Sequence, residues 1–172
     1  MMWTSLAMND IIDVRTNAQR LAININVEKI MVKQINKGNA TGMAGEFFVM
    51  EQLYRRGIEP ALTVGNAKAI DILVSTEHGL KEISVKAVRG GGKWGIGTED
   101  YSKRNDLIFV CLHYKKFDNL KSSPIVYIIP GHDAEKLKKP WFSQFGIYFS
   151  NQENRALLEK YIDAWHFIDG YE

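Results

Sequence analysis

Residues 69–88 read Ala69-Ile-Asp-Ile-Leu-Val-Ser-Thr-Glu-His-Gly-Leu-Lys-Glu-Ile-Ser-Val-Lys-Ala-Val88, and this stretch decides the fold. Two runs rich in Ile and Val, 69–74 and 81–88, flank a short segment containing a glycine, which predicts two strands joined as a hairpin. Runs at 106–113 and 124–130 predict two more strands. Helical patterns precede and follow these strands, so we expect an α/β protein with a mixed β-sheet flanked by helices.

The helix before the strands is predicted from its apolar periodicity and its ends. Residues 44–56 have helical spacing, with Thr41 placed to cap the start and Gly57 to end the helix. The first forty residues also carry a helical stripe and are predicted to form an N-terminal helical extension. After the strands we expect a short helix, an aromatic-rich connection and a last helix near residues 153–167.

Composition indicates an ordinary soluble protein. The chain has 172 residues, 45% of them hydrophobic, and a formal charge of +2, which demands no polyanionic partner. We expect one domain, with residues 1–40 as the extension, 41–130 as the core, and 131–172 as C-terminal helices and aromatic segment. No apolar run is long enough for a membrane span, and the lone Cys111 with no secretory signal favours the cytoplasm.

Glu46 is the first residue whose position points to chemistry. On an ideal helical wheel it lies in the middle of the apolar face, between Leu53 and Met50. A carboxylate in that place is paired, protonated or bound to a cation, because burying a lone charge is costly. A buried ion pair and a metal ligand are therefore both open.

Asp71 and Lys86 are the second and third such residues. Asp71 interrupts an otherwise apolar strand, where aspartate is uncommon. Period-two alternation puts Ser84 and Lys86 on one face of the following strand, and the hairpin would bring Asp71 beside them. Alone, each also fits an ordinary structural role, Asp71 at an exposed edge and Lys86 on a solvated face.

Together, these residues resemble the restriction-endonuclease-like, or PD-(D/E)xK, nuclease superfamily. The similarity is greatest to small members related to Holliday-junction resolvases and to uncharacterised phage and bacterial proteins. It rests on Glu46 within residues 42–57, Asp71 within 69–74 and Lys86 within 83–86. The resemblance implies the restriction-endonuclease-like fold and Mg²⁺- or Mn²⁺-dependent hydrolysis of DNA. It further implies that Glu46, Asp71 and the backbone carbonyl of Val85 are metal ligands and that Lys86 is catalytic.

Ser84 departs from the pattern of that superfamily. It stands where Glu, Asp or Gln is usual, and a neutral hydroxyl is a weak ligand for a hard cation. We keep Ser84 in the catalytic set and assign Glu82, two residues earlier, to the surface. Two rivals to a nuclease stay open: an impaired nuclease-fold module that binds nucleic acid without cutting it, and a protein-interaction factor using the aromatic C-terminal half.

A glycine-rich segment, residues 87–97, directly follows Lys86. Cations and an aromatic residue in and after it are predicted to bind nucleic acid, with the aromatic ring stacking on an unpaired base; they are Arg89, Lys93, Trp94, Lys103 and Arg104. The alternative is a flexible, solvated loop. DNA is the favoured partner, and a homodimer is an open arrangement.

Overall fold

The computed structural model describes residues 36–63, 70–77 and 79–170, together with residue 19 on its own. The chain divides into two compact units, residues 1–36 and 37–172, and both β-sheets lie in the second. Of the predicted helical extension, residues 1–40, the structure describes only residue 19 and residues 36–40. Residues 36–40 lead into the first described helix and supply its first turn. The single-domain organisation stays a prediction.

The described part is a mixed α/β arrangement of two sheets and several helices, which confirms the predicted fold class. In chain order its elements are α1 (Lys37–Arg55), β1 (Pro60–Leu62), β2 (Ile72–Thr76), β3 (Gly79–Arg89), β4 (Lys93–Gly97), β5 (Leu107–Tyr114), β6 (Ile125–Pro130), α2 (Gly131–Leu137), β7 (Lys139–Trp141), β8 (Gln144–Tyr148), α3 (Gln152–Leu158), a 3₁₀ turn (Glu159–Tyr161) and α4 (His166–Asp169). Five strands form a large sheet in the order β1-β2-β3-β5-β6, and three form a small sheet in the order β4-β8-β7. None of the described helices is long and apolar enough to cross a bilayer.

The large sheet contains the predicted hairpin. β2 and β3 pair antiparallel from Thr76 opposite Gly79 to Ile72 opposite Ile83. β3 then runs parallel to β5, and β6 returns antiparallel to β5, which makes the sheet mixed. The four strands expected from the sequence are present, each shifted by a few residues at most.

α1 ends where the sequence predicts and begins earlier. The N–H groups of Gly57 and Ile58 donate to the carbonyls of Tyr54 and Leu53, and Gly57 has a φ of 74°, a Schellman C-cap that only glycine adopts without strain. Thr41 does not cap the start. Its hydroxyl donates to the carbonyl of Lys37, four residues back, at 2.8 Å, so it lies inside the helix.

Each face of the large sheet carries a core. On one face, Val49 and Leu53 of α1 pack with Ile83 and Val85 of β3. On the other, residues of the small sheet, among them Trp94, pack over β5 and β6. The alternation along β3 therefore assigns Ser84 and Lys86 to the face opposite that of Val85.

The structure after Lys86 differs from the sequence prediction in three places. The glycine-rich segment after Lys86 is mostly strand, since β3 continues to Arg89 and β4 begins at Lys93. The aromatic connection forms β7 and β8 and places Phe149 in the core. The last predicted helix is broken into α3, the 3₁₀ turn and α4. Glycine-rich and short strands carry little local signal, which is why the pattern favoured loops.

Candidate active site

Glu46 lies at the border of the buried face of α1 rather than in its middle. The buried positions of the helix are Thr41, Gly45, Val49 and Leu53. Glu46 is half-buried, and Met43, three residues before it, is 44% exposed. The helix meets the sheet at Gly45, where an added Cβ would come within 2.7 Å of the Ala87 Cβ. With Gly45 in the contact, Glu46 lies at the edge of the helix–sheet interface and is partly exposed.

Asp71 directly precedes β2 and is held by β3. Its Oδ2 accepts a hydrogen bond from the N–H of Val85 at 2.6 Å, and its own N–H donates to the carbonyl of Ile83 at 2.9 Å. The β2–β3 ladder ends at Ile72 opposite Ile83, so the carboxylate takes the place of the next backbone acceptor. In an antiparallel ladder the N–H and C=O of one residue point to the same side. The Val85 carbonyl therefore faces the Asp71 side of β3.

Ser84 and Lys86 share one face of β3, as predicted. Ser84 is 1% exposed, and its Oγ has no hydrogen-bond partner among the described residues. Lys86 is half-buried and lies opposite Cys111 of β5. Burial raises the pKa of the Cys111 thiol to about 12, and the positive charge of Lys86 acts in the opposite direction. The Lys86 ammonium group is thus close to Cys111, on the face of the large sheet that the small sheet covers.

The charges of Glu46, Asp71 and Lys86 act on one another. Burial raises the pKa of the Glu46 carboxyl above its ordinary value, and the negative charge of Asp71 raises it further. The positive charge of Lys86 lowers it. The structure therefore brings a helix carboxylate, a strand carboxylate and a lysine within electrostatic range. A partly buried carboxyl next to a second carboxylate is a place where a cation is stabilising.

The donor atoms suit a hard divalent cation that keeps part of its water. Within the described ranges, no three side chains of the His, Cys, Asp and Glu types converge as a metal-binding group. Mg²⁺ is commonly held by one or two carboxylates, with water and substrate phosphate completing the octahedron. Glu46 and Asp71 meet that requirement. The unpartnered Ser84 hydroxyl is a buried oxygen on the same strand, so the residues present fit the ion.

Trp94 corrects the predicted nucleic-acid surface. Its side chain is fully buried, and its indole N–H donates to the carbonyl of Leu112 at 3.0 Å. The ring packs against Phe149 and Tyr127, with centroids 4.1 and 5.1 Å away. A base cannot reach it while the two sheets stay packed, so Trp94 is a core residue.

The predicted cations differ in what they contact. Arg104 is paired with Glu82 at 2.5 Å and Asp106 at 3.2 Å, and Glu82 is half-buried rather than a free surface residue. Arg89 donates to the Thr41 hydroxyl at 2.5 Å and stacks on Phe117. Their guanidinium groups therefore have structural partners.

Two predicted cations are better placed to meet a ligand. Lys103 is exposed in the segment before β5. Lys93 is half-buried on β4, with its Nζ 4.8 Å from the ring of Trp141.

Gly45 and Thr41 position the site, although the sequence did not predict that role for either. Thr41 is buried and links α1 to Arg89, at the end of β3. Gly45 permits the close approach of the helix to the same strand. Gly45, inside the predicted helix, was the available signal, because glycine inside a helix is unfavourable unless packing requires it.

A surface depression of about 770 Å³ lies elsewhere, at the edge of the large sheet. Its lining includes Arg56, Leu73 and Leu80 and none of the predicted site residues. The converging charges, rather than the depth of a pocket, mark the candidate site.

No protein-family model matches the chain, and no curated protein matches it. Among solved structures, the chain is similar to the bacterial homing endonuclease I-Ssp6803I, with a TM-score of 0.49 and 16% sequence identity. The superposition covers 77% of this chain and 92% of that chain.

Proposed function

We propose that this chain is a nuclease that hydrolyses phosphodiester bonds in DNA with Mg²⁺ or Mn²⁺. One observation carries the proposal: Glu46 of α1 is half-buried and lies near enough to Asp71 and Lys86 for the charges of both to act on it. Two carboxylates and a lysine from a helix and two adjacent strands form the arrangement that phosphodiester hydrolysis requires, with oxygen ligands for a cation next to a positive group.

The residues that would hold the cation are Glu46, Asp71 and the carbonyl of Val85, with the Ser84 hydroxyl as a further oxygen. When bound, the cation supplies a more acidic water and offsets negative charge on the phosphate. One Asp71 oxygen accepts from the Val85 N–H, and no side chain of the described residues donates to the second oxygen. One oxygen thus holds the carboxylate in place, and the other would bind the cation.

Lys86 supplies a positive charge at the reacting phosphate. Its position on β3 is fixed by the parallel pairing of that strand with β5, in which Lys86 lies opposite Cys111. A side chain held on a rigid strand needs little reorganisation as charge develops on the phosphate oxygens, which is the main source of electrostatic catalysis. Loss of one such group typically lowers a rate by about 10²–10³.

Ser84 favours a second candidate, a module that binds nucleic acid without cutting it. Its hydroxyl is neutral and buried, whereas the superfamily that the chain resembles has an acid or an amide at this position. With one carboxylate fewer, affinity for the cation is expected to be lower. The two candidates differ in one measurable property, namely metal-dependent cleavage.

The deciding experiment uses supercoiled, linear, single-stranded and four-way-junction DNA with the purified protein in Mg²⁺ or Mn²⁺. Matched reactions contain EDTA, Lys86→Ala or Asp71→Asn. Cleavage that needs the metal and both side chains supports the proposal and selects the substrate. Salt-sensitive binding without cleavage would favour the impaired module. Cleavage that persists in both variants would refute the site.

A further inference from the structure

The turn between β7 and β8 exposes a large aromatic side chain. Trp141 and Gln144 close this hairpin, and Phe142, the first of its two turn residues, is 94% exposed. Its φ of 51° lies in the left-handed region, where glycine or asparagine is the less strained choice. Neither burial nor backbone geometry accounts for a phenylalanine at this tip.

On the sheet behind the tip, an aromatic side chain packs over glycines. Trp141 lies over two glycines: an added Cβ would come within 2.6 Å of its ring at Gly95 and within 3.7 Å at Gly146. The Nζ of Lys93 lies 4.8 Å from the ring of Trp141 and 5.5 Å from that of Tyr148. The small sheet thus presents a rigid aromatic base with a cation beside it.

The charge of the small sheet complements phosphate. Its strands read Lys-Trp-Gly-Ile-Gly, Lys-Pro-Trp and Gln-Phe-Gly-Ile-Tyr, with two lysines and no carboxylate. Phe142 lies beside Trp141, with ring centroids 6.0 Å apart, and is followed by the polar residues Ser143 and Gln144. One projecting ring among cations and polar groups fits a nucleic acid, whose bases stack and whose phosphates are negative.

The small sheet is tethered close to the candidate active site. From Lys86, β3 runs to Arg89, and the glycine triplet 90–92 leads directly into Lys93. Lys93 lies seven positions after Lys86 in the sequence. Even a fully extended chain of that length spans no more than about 25 Å. About seven base pairs of duplex cover this distance, so one DNA molecule can reach both places.

We propose that the β7–β8 hairpin is a DNA-binding element, with the Phe142 ring inserting between adjacent bases and Lys93 contacting a backbone phosphate. This inference rests on the proposed function, since it supplies the substrate contacts of that site. An apolar side chain inserted at a base step unstacks the step and bends the duplex. Sequences with easily unstacked pyrimidine–purine steps are then the preferred substrates.

The test measures binding of a labelled duplex that carries 2-aminopurine, whose fluorescence rises when it unstacks, at low salt in EDTA. Phe142→Gly removes the ring and relieves the backbone, so a loss of binding cannot come from a strained turn. Leu120→Ala is the matched control, because Leu120 is 99% exposed on another loop. We expect Phe142→Gly to weaken binding about tenfold and abolish the fluorescence rise, with Leu120→Ala within about twofold of wild type.

Binding and fluorescence that Phe142→Gly leaves unchanged would overturn the hairpin assignment, while metal-dependent cleavage lost in Asp71→Asn would leave the nuclease proposal standing. Hairpin-dependent binding without any cleavage supports the assignment and refutes the nuclease. A wild-type protein that binds no DNA refutes both. Lys93→Gln supplies a second readout, a salt dependence of log K shallower by about 0.9. An unchanged slope would remove Lys93 from the contact.

Discussion

The Asp71 carboxylate accepts a hydrogen bond of 2.6 Å from the backbone N–H of Val85 on the adjacent strand. This bond adds one side-chain rung to the β2–β3 ladder beyond its last backbone pair, Ile72 and Ile83. It holds one carboxylate oxygen and orients the second. Because Glu46 comes from α1, the two carboxylates are positioned by different contacts, while the charge of Asp71 still acts on Glu46.

Asp71→Asn and Asp71→Ala separate the charge of Asp71 from its structural bond. The asparagine amide oxygen still accepts from the Val85 N–H, so we expect the free energy of unfolding to change little and the cleavage rate to fall about 10²–10³-fold. Alanine leaves that N–H unpaired and lowers the free energy of unfolding by about 1–3 kcal/mol. Urea titrations with cleavage assays check both. Equal stability loss in the two variants would contradict this division of roles.

The raised pKa of Glu46 predicts how the stability of the metal-free protein changes with pH. Its raised pKa means that the folded protein binds the proton more tightly than the unfolded chain. Glu46 therefore makes stability greatest below the ordinary value of 4.5, and that contribution is lost as pH rises through the raised value. In EDTA, Glu46→Gln should lack this loss and have a Tm higher by about 1–2 °C at pH 8, a small effect because the group is half-exposed. Melting curves at pH 4–8 measure it, and a lower Tm for the variant at pH 8 would contradict it.

The same residue predicts the effect of adding Mg²⁺. Metal binds the ionised carboxylates, so Mg²⁺ and protons compete, and Mg²⁺ should stabilise the protein more at pH 8 than at pH 5. At about tenfold excess over its dissociation constant, we expect a Tm rise of about 3–6 °C at pH 8. Glu46→Gln should lose most of the rise. If Mg²⁺ stabilises both proteins equally, the ion binds elsewhere.

The hairpin that carries Asp71 and Lys86 is predictable because its signals are local. Period-two alternation fixes which residues of β3 share a face, and the glycine turn fixes which strands pair. The end of α1 at Gly57 is local in the same way, since a left-handed cap needs glycine. These local signals predict the elements that bear the site and the face to which Lys86 belongs.

The position of Glu46 and the burial of Trp94 depend on distant contacts. A helical wheel gives relative angles only, and the sheet meets α1 at Gly45, which moves Glu46 to the border. Trp94 belongs to a strand with two glycines and is buried by Tyr127 and Phe149, both far along the chain. No local pattern encodes these pairings, which is why the sequence favoured an exposed loop there.

Ser84→Ala tests whether the buried hydroxyl is a ligand. Removing a buried hydroxyl with no described partner should leave the free energy of unfolding unchanged or raise it by up to about 1 kcal/mol. If the oxygen contributes to the metal site, the Mg²⁺ concentration for half-maximal cleavage should rise about 3–10-fold. Metal titrations of the cleavage rate measure this. An unchanged requirement would make Ser84 a core residue only.

Arg89 is predicted to stabilise the fold more than it binds phosphate. Its guanidinium donates to the Thr41 hydroxyl and to the Lys37 carbonyl, at 2.5 and 3.1 Å, and lies 3.7 Å from the Phe117 ring centroid. Arg89→Ala should lower the free energy of unfolding by about 1–3 kcal/mol, and Thr41→Val should be non-additive with it. The salt dependence of DNA binding should not change. A shallower salt slope with unchanged stability would instead identify Arg89 as a phosphate contact.

Gly45→Ala and Gly42→Ala test how closely α1 must approach β3. At Gly45 a new Cβ would come within 2.7 Å of the Ala87 Cβ, whereas at Gly42 nothing lies within 4 Å. Alanine is the better helix former, so Gly42→Ala should raise the free energy of unfolding by up to about 1 kcal/mol without affecting cleavage. Gly45→Ala should lower it by about 1–3 kcal/mol and displace Glu46, reducing cleavage beyond what the lost stability explains. Chemical denaturation and cleavage of fully folded samples measure the two effects. If Gly45→Ala cleaves normally while folded, the site does not depend on this contact.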